Sequence, residues 1–428
     1  MSERRKPEDA AAHITVSDPV QHSDGLNKYT SYRVDVRSSG AAPYSAVLRR
    51  YSDFSWLYDR LHKERAGAIV PPLPEKQAVS RFSAAFVEDR RINLERFLRR
   101  VSLHPELSDA PCLSVFLTAD DATFHAAKAG HVVGSADMGR KKEGGMKQWF
   151  AETKTSIATS VMGNSDLVPR SPDDDLFDEI ERYIHGLDTQ MKNVASQASG
   201  LVRKGKEIAN GMFEFGLAFS LLGQSEADGL GVSLAKMGDA ADALSVLSAE
   251  QAEREGASFE EPLQDYIRTI HAVKLALSRR NEKRLTLATC LADVNAKTAS
   301  LSKLRGVPGK EDKAYQTEMA LVKAKESAES AREEFATVSQ RVLREVDRFK
   351  REKADDMRRT VMDYIHLQIT YNKRMEDVWA KLIPQLEQVQ LDVPQGQPQG
   401  DNQPSDAQPA MGGSQDPTAQ GMADGYRM

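Results

Sequence analysis

Two arginine pairs beside aromatic residues have the types and spacing to do chemistry, and that chemistry is anion binding. Arg49 and Arg50 end an apolar run and are followed at once by Tyr51. Arg90 and Arg91 begin a stretch with helical spacing. Guanidinium groups grip phosphate oxygens in pairs, and an aromatic ring can form the floor under a sugar-like ring. Spacing alone leaves open the alternative that these are solvated surface arginines.

Other chemistries find no support in the residue spacing. The nine histidines are scattered, and the two cysteines, Cys112 and Cys290, are too few for a disulfide framework or a zinc site. No glycine-rich phosphate loop with its lysine and no nucleophile motif occurs. The sequence therefore predicts a binding protein rather than an enzyme, with no cofactor and no metal. The 58 basic and 63 acidic residues give a net charge of −5, so no nucleic-acid partner is expected.

The elements that position the two arginine pairs form a mixed region over residues 11 to 120, after a short tail of residues 1 to 10. Alternating apolar residues predict three strands, in "HITV", "YRVDVR" and "YSAVLRR". The spacing then changes to that of three helices, the third in "LSDAPCLSVFL". The loop "IVPPLPEK" is expected to be extended because its prolines fix φ. This order predicts an α+β domain.

The second half of the sequence predicts three long antiparallel helices, near residues 174 to 224, 226 to 305 and 311 to 386. No proline lies between Pro308 and Pro384, and apolar residues from Phe335 onward recur every three or four positions. A helix of that length, roughly 100 Å, is typical of a coiled coil or an elongated bundle. The tail, residues 388 to 428, is rich in Pro, Gln and Gly and is predicted to be disordered.

The linker over residues 121 to 173 contains one segment, 146 to 162, with the pattern of an amphipathic helix. Its apolar face includes two aromatic residues, which favours insertion into a lipid headgroup layer. The alternative is that this helix packs against one of the domains. The residues predicted to insert are Met146, Trp149, Phe150, Ile157 and Val161.

Basic residues concentrate in the second long helix and in the turn that follows it. Each basic group near an anionic leaflet contributes about 1 kcal/mol, so a row of them predicts a membrane-facing surface. The alternative is a solvated helix face. The predicted basic surface consists of Lys274, Arg279, Arg280, Lys283, Arg284, Lys297, Lys303, Arg305, Lys310 and Lys313.

The motifs "RRYSDF", "PPLPEK", "FVEDRRINLERFLRRV" and "HPELSDAPCLSVFL" occur in the order seen in the PX (phox-homology) domain of sorting nexins, which residues 11 to 120 resemble. The resemblance implies that Arg50 contacts the 3-phosphate of phosphatidylinositol 3-phosphate and that Tyr51 packs under the inositol ring. It also implies that Lys76 contacts the 1-phosphate and that Arg90 bonds the 4- and 5-hydroxyls.

The same resemblance implies that the tip of the proline loop, with Ile69, Val70 and Leu73, enters the bilayer interface. Arg49 and Arg91 are candidates for a supporting role at the headgroup. The alternative reading of "PPLP" is a ligand for an SH3-type domain.

The long helices, with "DYIRTI", "REVDRFKREKADDM" and "YNKRMEDVWAKLIP", resemble over residues 174 to 387 the BAR domain of the PX-BAR sorting nexins. The chain is most similar to their retromer-associated branch, the membrane coat of endosomal tubules in endosome-to-Golgi retrograde sorting. That implies an all-α BAR domain dimerised as a coiled-coil bundle, on the cytosolic face of endosomes. Implied partners are a second copy or a related nexin, and the retromer cargo-selecting trimer.

Two alternatives to that function stay open. One is a PX-BAR sorting nexin of another route, such as autophagy or recycling. The other is a coiled-coil scaffold that does not depend on lipid. One departure from the retromer branch is that the first predicted strand begins about a dozen residues after Met1, where that branch usually carries a long acidic extension thought to help recruit the trimer.

Overall fold

The computed structural model describes residues 13–24, 27–37, 45–74, 83–130, 173–226 and 229–389. The predictions for Lys76, for segment 146–162 and for both tails concern residues outside these ranges, apart from residues 388 and 389. Among the described residues, no helix has both the length and the apolar content needed to cross a bilayer.

The first domain begins with an antiparallel sheet of three strands, β1 (His13–Asp24), β2 (Asn27–Arg37) and β3 (Ser45–Arg50), in that spatial order. This confirms the predicted sheet. Alternation places Tyr32 and Val34 of β2 in the core, where Val34 pairs with Val16 of β1. Ser31 lies on the opposite face and pairs with Arg50 of β3. The outer face of the sheet therefore carries the second arginine of the first pair.

Four helices follow the sheet: α1 (Tyr51–Glu64), α2 (Ala84–Leu103), α3 (Pro111–Thr118) and α4 (Asp121–Lys128). The sequence had placed the start of the linker at residue 121, and this boundary needs correction. Phe124 of α4 is buried in the first core, with its ring 5.0 Å from that of Trp56. The domain therefore extends to Lys128. The sequence did not indicate this, because one buried aromatic residue does not produce a periodic pattern.

The second domain consists of α5 (Asp174–Ser225), α6 (Gly229–Glu255), α7 (Glu261–Leu304) and α8 (Glu311–Glu387). A π-helical turn, Gly256–Glu260, joins α6 to α7 just before Pro262, so these two form the predicted second long helix with one interruption. The 77 residues of α8 give a length of about 115 Å. The three-helix architecture is therefore confirmed.

The proline loop of the first domain packs against the second domain. Ile69 is buried in the core of the helical domain, and Val70 is fully buried in the core of the first. Gly67 has a φ of +88°, and a β-carbon there would lie 3.0 Å from Val338 and Val342 of α8. Only glycine suits both the backbone angle and the close approach. The structure contradicts the prediction that Ile69 and Val70 insert into a bilayer, because α8 covers Ile69 and the first core covers Val70.

A buried polar cluster completes this contact between the domains. Glu345 of α8 accepts a hydrogen bond from the Ile69 backbone N–H at 2.9 Å and lies 2.9 Å from the imidazole of His104. Arg348 donates to the same carboxylate at 2.9 Å. Burial alone would raise the pKa of Glu345, but these hydrogen bonds outweigh it and lower that pKa to about 2. The first domain is thus held on α8 by a buried charged group with several partners.

Candidate functional site

One tyrosine and one arginine of the predicted site are stacked. Tyr51 begins α1, and its hydroxyl donates to the carbonyl of Pro74 at 2.6 Å. Arg90 of α2 lies over the Tyr51 ring, with its guanidinium carbon 4.5 Å from the ring centroid, and 4.2 Å from that of Phe86. Leu73 is half-buried and packs against the first core. The fold thus places an aromatic floor, a cation and the end of the described proline loop together.

Arg50 lies at the junction of β3 and α1 and is oriented by a buried carboxylate. Its backbone N–H donates to Asp53 at 2.9 Å, and its Nε lies 3.8 Å from the other oxygen of that side chain. Lys128 of α4 also donates to Asp53, at 2.7 Å. The Arg50 side chain remains 42% exposed, so its guanidinium stays accessible beside Tyr51.

Tyr29 and Asp53 belong to this site and were missed by the sequence reasoning. The Arg50 guanidinium carbon lies 5.5 Å from the centroid of the Tyr29 ring. Because Ser31 pairs with Arg50, Tyr29 is a diagonal neighbour of Arg50 on the outer face of the sheet. Tyr29 can be assigned to the site only when the register of β2 with β3 is known. Asp53 could have been identified from the sequence, because it occupies the third position of α1, where an acidic residue caps a helix.

Burial of Arg49 contradicts its predicted supporting role at the headgroup, whereas Arg91 is partly exposed and its supporting role stays a prediction. Arg49 is fully buried because it occupies the core face of β3, opposite to Arg50. It donates to the Phe116 carbonyl at 3.0 Å and packs over the Phe124 ring at 4.1 Å. Arg91 donates to the Val16 carbonyl at 2.7 Å and so ties α2 to the edge of β1.

The predicted basic surface is much smaller in the structure than in the sequence. Arg280 is buried, with its guanidinium 2.5 Å from the carboxylate of Asp174 and 3.5 Å from the centroid of the Phe177 ring. It therefore belongs to the core and not to a membrane-facing surface. Five further members form ion pairs within the chain: Lys274, Arg279, Lys283, Arg284 and Lys297.

The remaining four basic residues surround the turn between α7 and α8. Lys303, Arg305, Lys310 and Lys313 are all exposed, and within the described part of the chain none of them forms an ion pair. Gly306 and Gly309, with φ of +78° and +79°, make this turn tight. We call these four residues the basic tip.

The helical domain exposes many apolar side chains at the end away from the basic tip. They lie on α5, α6 and the C-terminal half of α8. We call this the apolar surface of the helical domain. Its exposed members include Leu201, Ile208, Phe213, Leu221, Val246, Ile369 and Ile383.

Comparisons with known proteins agree with the two domains. The family model described as "Vps5 C terminal like" matches residues 152–385, and the model "PX domain" matches residues 38–120. Sorting nexin 1 of Arabidopsis thaliana is 30% identical over 384 residues, covering 87% of this chain and 92% of that protein. Sorting nexin-1 of Homo sapiens is 25% identical over 394 residues, covering 88% of this chain and 72% of that protein.

A solved structure is similar in fold. The chain superposes on the cryo-EM structure of the SNX-BAR Mvp1 tetramer with a TM-score of 0.50, covering 86% of this chain and 99% of that one. At 18% identity this similarity concerns the fold alone.

Proposed function

The chain belongs to the PX-BAR sorting nexins, a family that binds membranes and senses their curvature, and we propose that it recognises phosphatidylinositol 3-phosphate. The observation that carries this proposal is the Arg90 guanidinium 4.5 Å above the Tyr51 ring, beside the accessible Arg50. Arg50 binds the 3-phosphate, Tyr51 lies under the inositol ring and Arg90 bonds the ring hydroxyls. Lys76, which follows Pro74 by two residues, binds the 1-phosphate.

The chemistry of these groups suits a phosphorylated ring. A phosphate monoester carries up to two negative charges and three acceptor oxygens, and a guanidinium edge satisfies two of those oxygens at once. Asp53 holds the Nε side of Arg50, so the outer edge of the guanidinium is left for the ligand. Hydrogen bonds between charged groups contribute roughly 1.5–3 kcal/mol each.

The helical domain supplies curvature sensing and further membrane contacts in this proposal. Two copies, or one copy and a related sorting nexin, pair through the apolar surface. The two basic tips then lie on an anionic membrane, and the amphipathic segment 146–162 inserts beside them, together with Leu73. Each contact is weak, but linking them raises the effective concentration of the next one. Binding therefore requires the lipid and a suitable curvature together.

The route we propose is retrograde sorting from endosomes as the membrane coat of retromer, on their cytosolic face and without catalysis. The similarity to sorting nexin-1 and the Vps5-like match support this choice. A PX-BAR sorting nexin of autophagy or recycling is the second candidate. Co-purification of the retromer cargo-selecting trimer with the full chain separates the two, since only the retromer coat is expected to retain it.

Sedimentation with liposomes tests the lipid proposal. Wild type should bind liposomes containing phosphatidylinositol 3-phosphate and bind those without it at least tenfold more weakly. Arg50→Ala should bind the liposomes that contain this lipid ten- to a hundredfold more weakly than wild type does, because it removes one or two hydrogen bonds to a charged group. Arg60→Ala, which removes an exposed arginine of α1 with one ion pair to Glu64, is the matched control and should bind as wild type does.

Two results would overturn parts of this proposal. Equal binding with and without the 3-phosphorylated lipid would favour a scaffold that does not depend on it. Lipid-dependent binding that leaves vesicles round in negative-stain micrographs would remove the curvature function of the isolated chain and leave the lipid sensor in place.

A further inference from the structure

The outer face of the sheet carries a second aromatic stack beside the headgroup site. The imidazole of His22 and the ring of Tyr29 lie 4.9 Å apart and are nearly parallel, at 19°. Arg50 lies over Tyr29, with its guanidinium carbon 5.5 Å from the ring centroid. The three side chains form a continuous row from β1 across β2 to the end of β3.

Strand register brings this row together. His22 of β1 pairs directly with Tyr29 of β2, and Ser31, two residues further along β2, pairs with Arg50. Side chains two residues apart on a strand share a face, so all four lie on the outer face of the sheet. The imidazole is held in place, because its Nε2 and the hydroxyl of the buried Ser31 are 2.7 Å apart.

This row repeats the arrangement of Arg90 on Tyr51. In both pairs a guanidinium rests against a tyrosine ring, and in both the ring is anchored by a contact of its own: Tyr51 by the Pro74 carbonyl, Tyr29 by the stacked His22. An arginine side chain loses rotamer entropy when it is fixed on a ligand. A ring against one face of the guanidinium removes part of that loss before the ligand arrives.

Arg50 is thereby restrained from two directions. The Asp53 carboxylate lies 3.8 Å from its Nε, and its guanidinium carbon lies over the Tyr29 ring, 5.5 Å from the centroid. The terminal nitrogens are left for an oxyanion on the far side from Asp53. Without Tyr29, Asp53 would still attract the guanidinium but would not set the plane in which its donors point.

We propose that Tyr29, stacked on His22, is a positioning residue that sets the plane of the Arg50 guanidinium for the 3-phosphate. This inference rests on the proposed function of the site. It gives Tyr29 a role in discriminating the position of the phosphate on the inositol ring, because a freely rotating Arg50 reaches neighbouring positions as well.

The test is calorimetric titration of the full chain with two soluble headgroups, inositol 1,3-bisphosphate and inositol 1,4-bisphosphate. Tyr29→Ala should weaken binding of the 1,3 isomer about tenfold, as loss of a partly desolvated cation–π contact implies, and should reduce the ratio of the two affinities. Tyr29→Phe keeps the ring and should bind within twofold of wild type. His22→Ala should produce a smaller loss in the same direction. Val20→Ala, on the same face of β1 and 48% exposed, is the matched control.

A purely structural role for Tyr29 would lower thermal stability but leave the isomer ratio of the folded protein unchanged. If Tyr29→Ala does not fold, Tyr29→Leu keeps the bulk without the ring and should show the same loss. Wild-type affinity for the 1,3 isomer with an unchanged ratio in either variant would overturn the inference. Failure of wild type to bind the 1,3 isomer would instead overturn the proposed function.

Discussion

Replacing Glu345 by glutamine tests whether a buried charge holds the two domains together. The side chain of Glu345 is 2% exposed, and one of its oxygens accepts hydrogen bonds from Ile69 and Arg348 and lies 2.9 Å from the Nε2 of His104. Glutamine keeps the size and one carbonyl acceptor. It removes the charge and turns an amide N–H₂ toward at least one donor, which leaves Arg348 partly uncompensated.

The expected loss in the free energy of unfolding is about 3 kcal/mol. Burial raises the pKa of Glu345 above its ordinary value of 4.5, but hydrogen bonds from His104 and Arg348 outweigh burial and lower the pKa to about 2. Each unit corresponds to about 1.4 kcal/mol, so the ionised form is stabilised by roughly 3 kcal/mol. Removal of one partner from a buried ion pair costs about 3–5 kcal/mol, which agrees with this figure.

Glu352→Gln is the matched control. Glu352 lies on the same helix and contacts the same Arg348 at 2.9 Å, but its side chain is 56% exposed. Exposed ion pairs contribute less than about 1 kcal/mol. Urea unfolding at pH 7, followed by circular dichroism and by tryptophan fluorescence, compares the two variants. Losses that agree within about 0.5 kcal/mol would refute the argument that burial makes Glu345 the stronger partner.

Three further predictions concern other titratable and basic groups. Burial, assisted by Arg279, lowers the pKa of His62 from 6.5 to about 4. The unfolded chain therefore takes up this proton first as the pH falls, and roughly 3 kcal/mol of stability should be lost between pH 6.5 and 4; His62→Gln should flatten that part of the profile. Arg280→Met should lower the free energy of unfolding by about 3–5 kcal/mol, because it removes the nearer of the two arginines that pair with the buried carboxylate of Asp174. Changing Lys303, Arg305 and Lys310 together to glutamine should leave stability within about 0.5 kcal/mol and weaken liposome binding more than tenfold at low salt.

Each of these predictions has a control in the chain or in the conditions. His125→Gln, at an exposed position of α4, is the matched control for the substitution itself. Arg284→Met removes a half-buried arginine 3.5 Å from the same Asp174 and should cost less than Arg280→Met; the reverse order would contradict the burial argument. Salt should weaken liposome binding of wild type more than that of the tip variant, and equal salt dependence would show that the basic tip does not face the membrane.

Much of the fold was predictable because its signals are local. Alternation in "YRVDVR" and the three- and four-residue spacing along α8 depend only on neighbours in the chain, and they identified the sheet and the long helices. The turn between α7 and α8, at Gly306, followed from equally local signals. Helix α4 was missed because its one buried aromatic residue, Phe124, sets no period.

The candidate site was predictable in part. Arg50 and Tyr51 are adjacent in sequence, and their motif led to Arg90. Strand alternation predicts that Arg49 and Arg50 lie on opposite faces of β3. Which of the two faces is buried depends on the packing of α3 and α4. Tyr29 required the register of two strands, which side-chain chemistry alone does not determine.

The sequence by itself determined the order of strands and helices and the presence of an anion-binding arginine beside a tyrosine, because periodicity and residue chemistry are local properties. The tertiary structure decided which charges face solvent. Arg280 meets Asp174 across 106 residues, and Ile69 meets Glu345 across 276. The sequence predicts that Arg280 and Ile69 face a membrane. A row of arginines and an apolar loop tip look the same in sequence whether water, lipid or protein covers them. Only the packing of one domain against another settles which of these it is, since the free energy of burying a charge or an apolar group depends on what lies opposite.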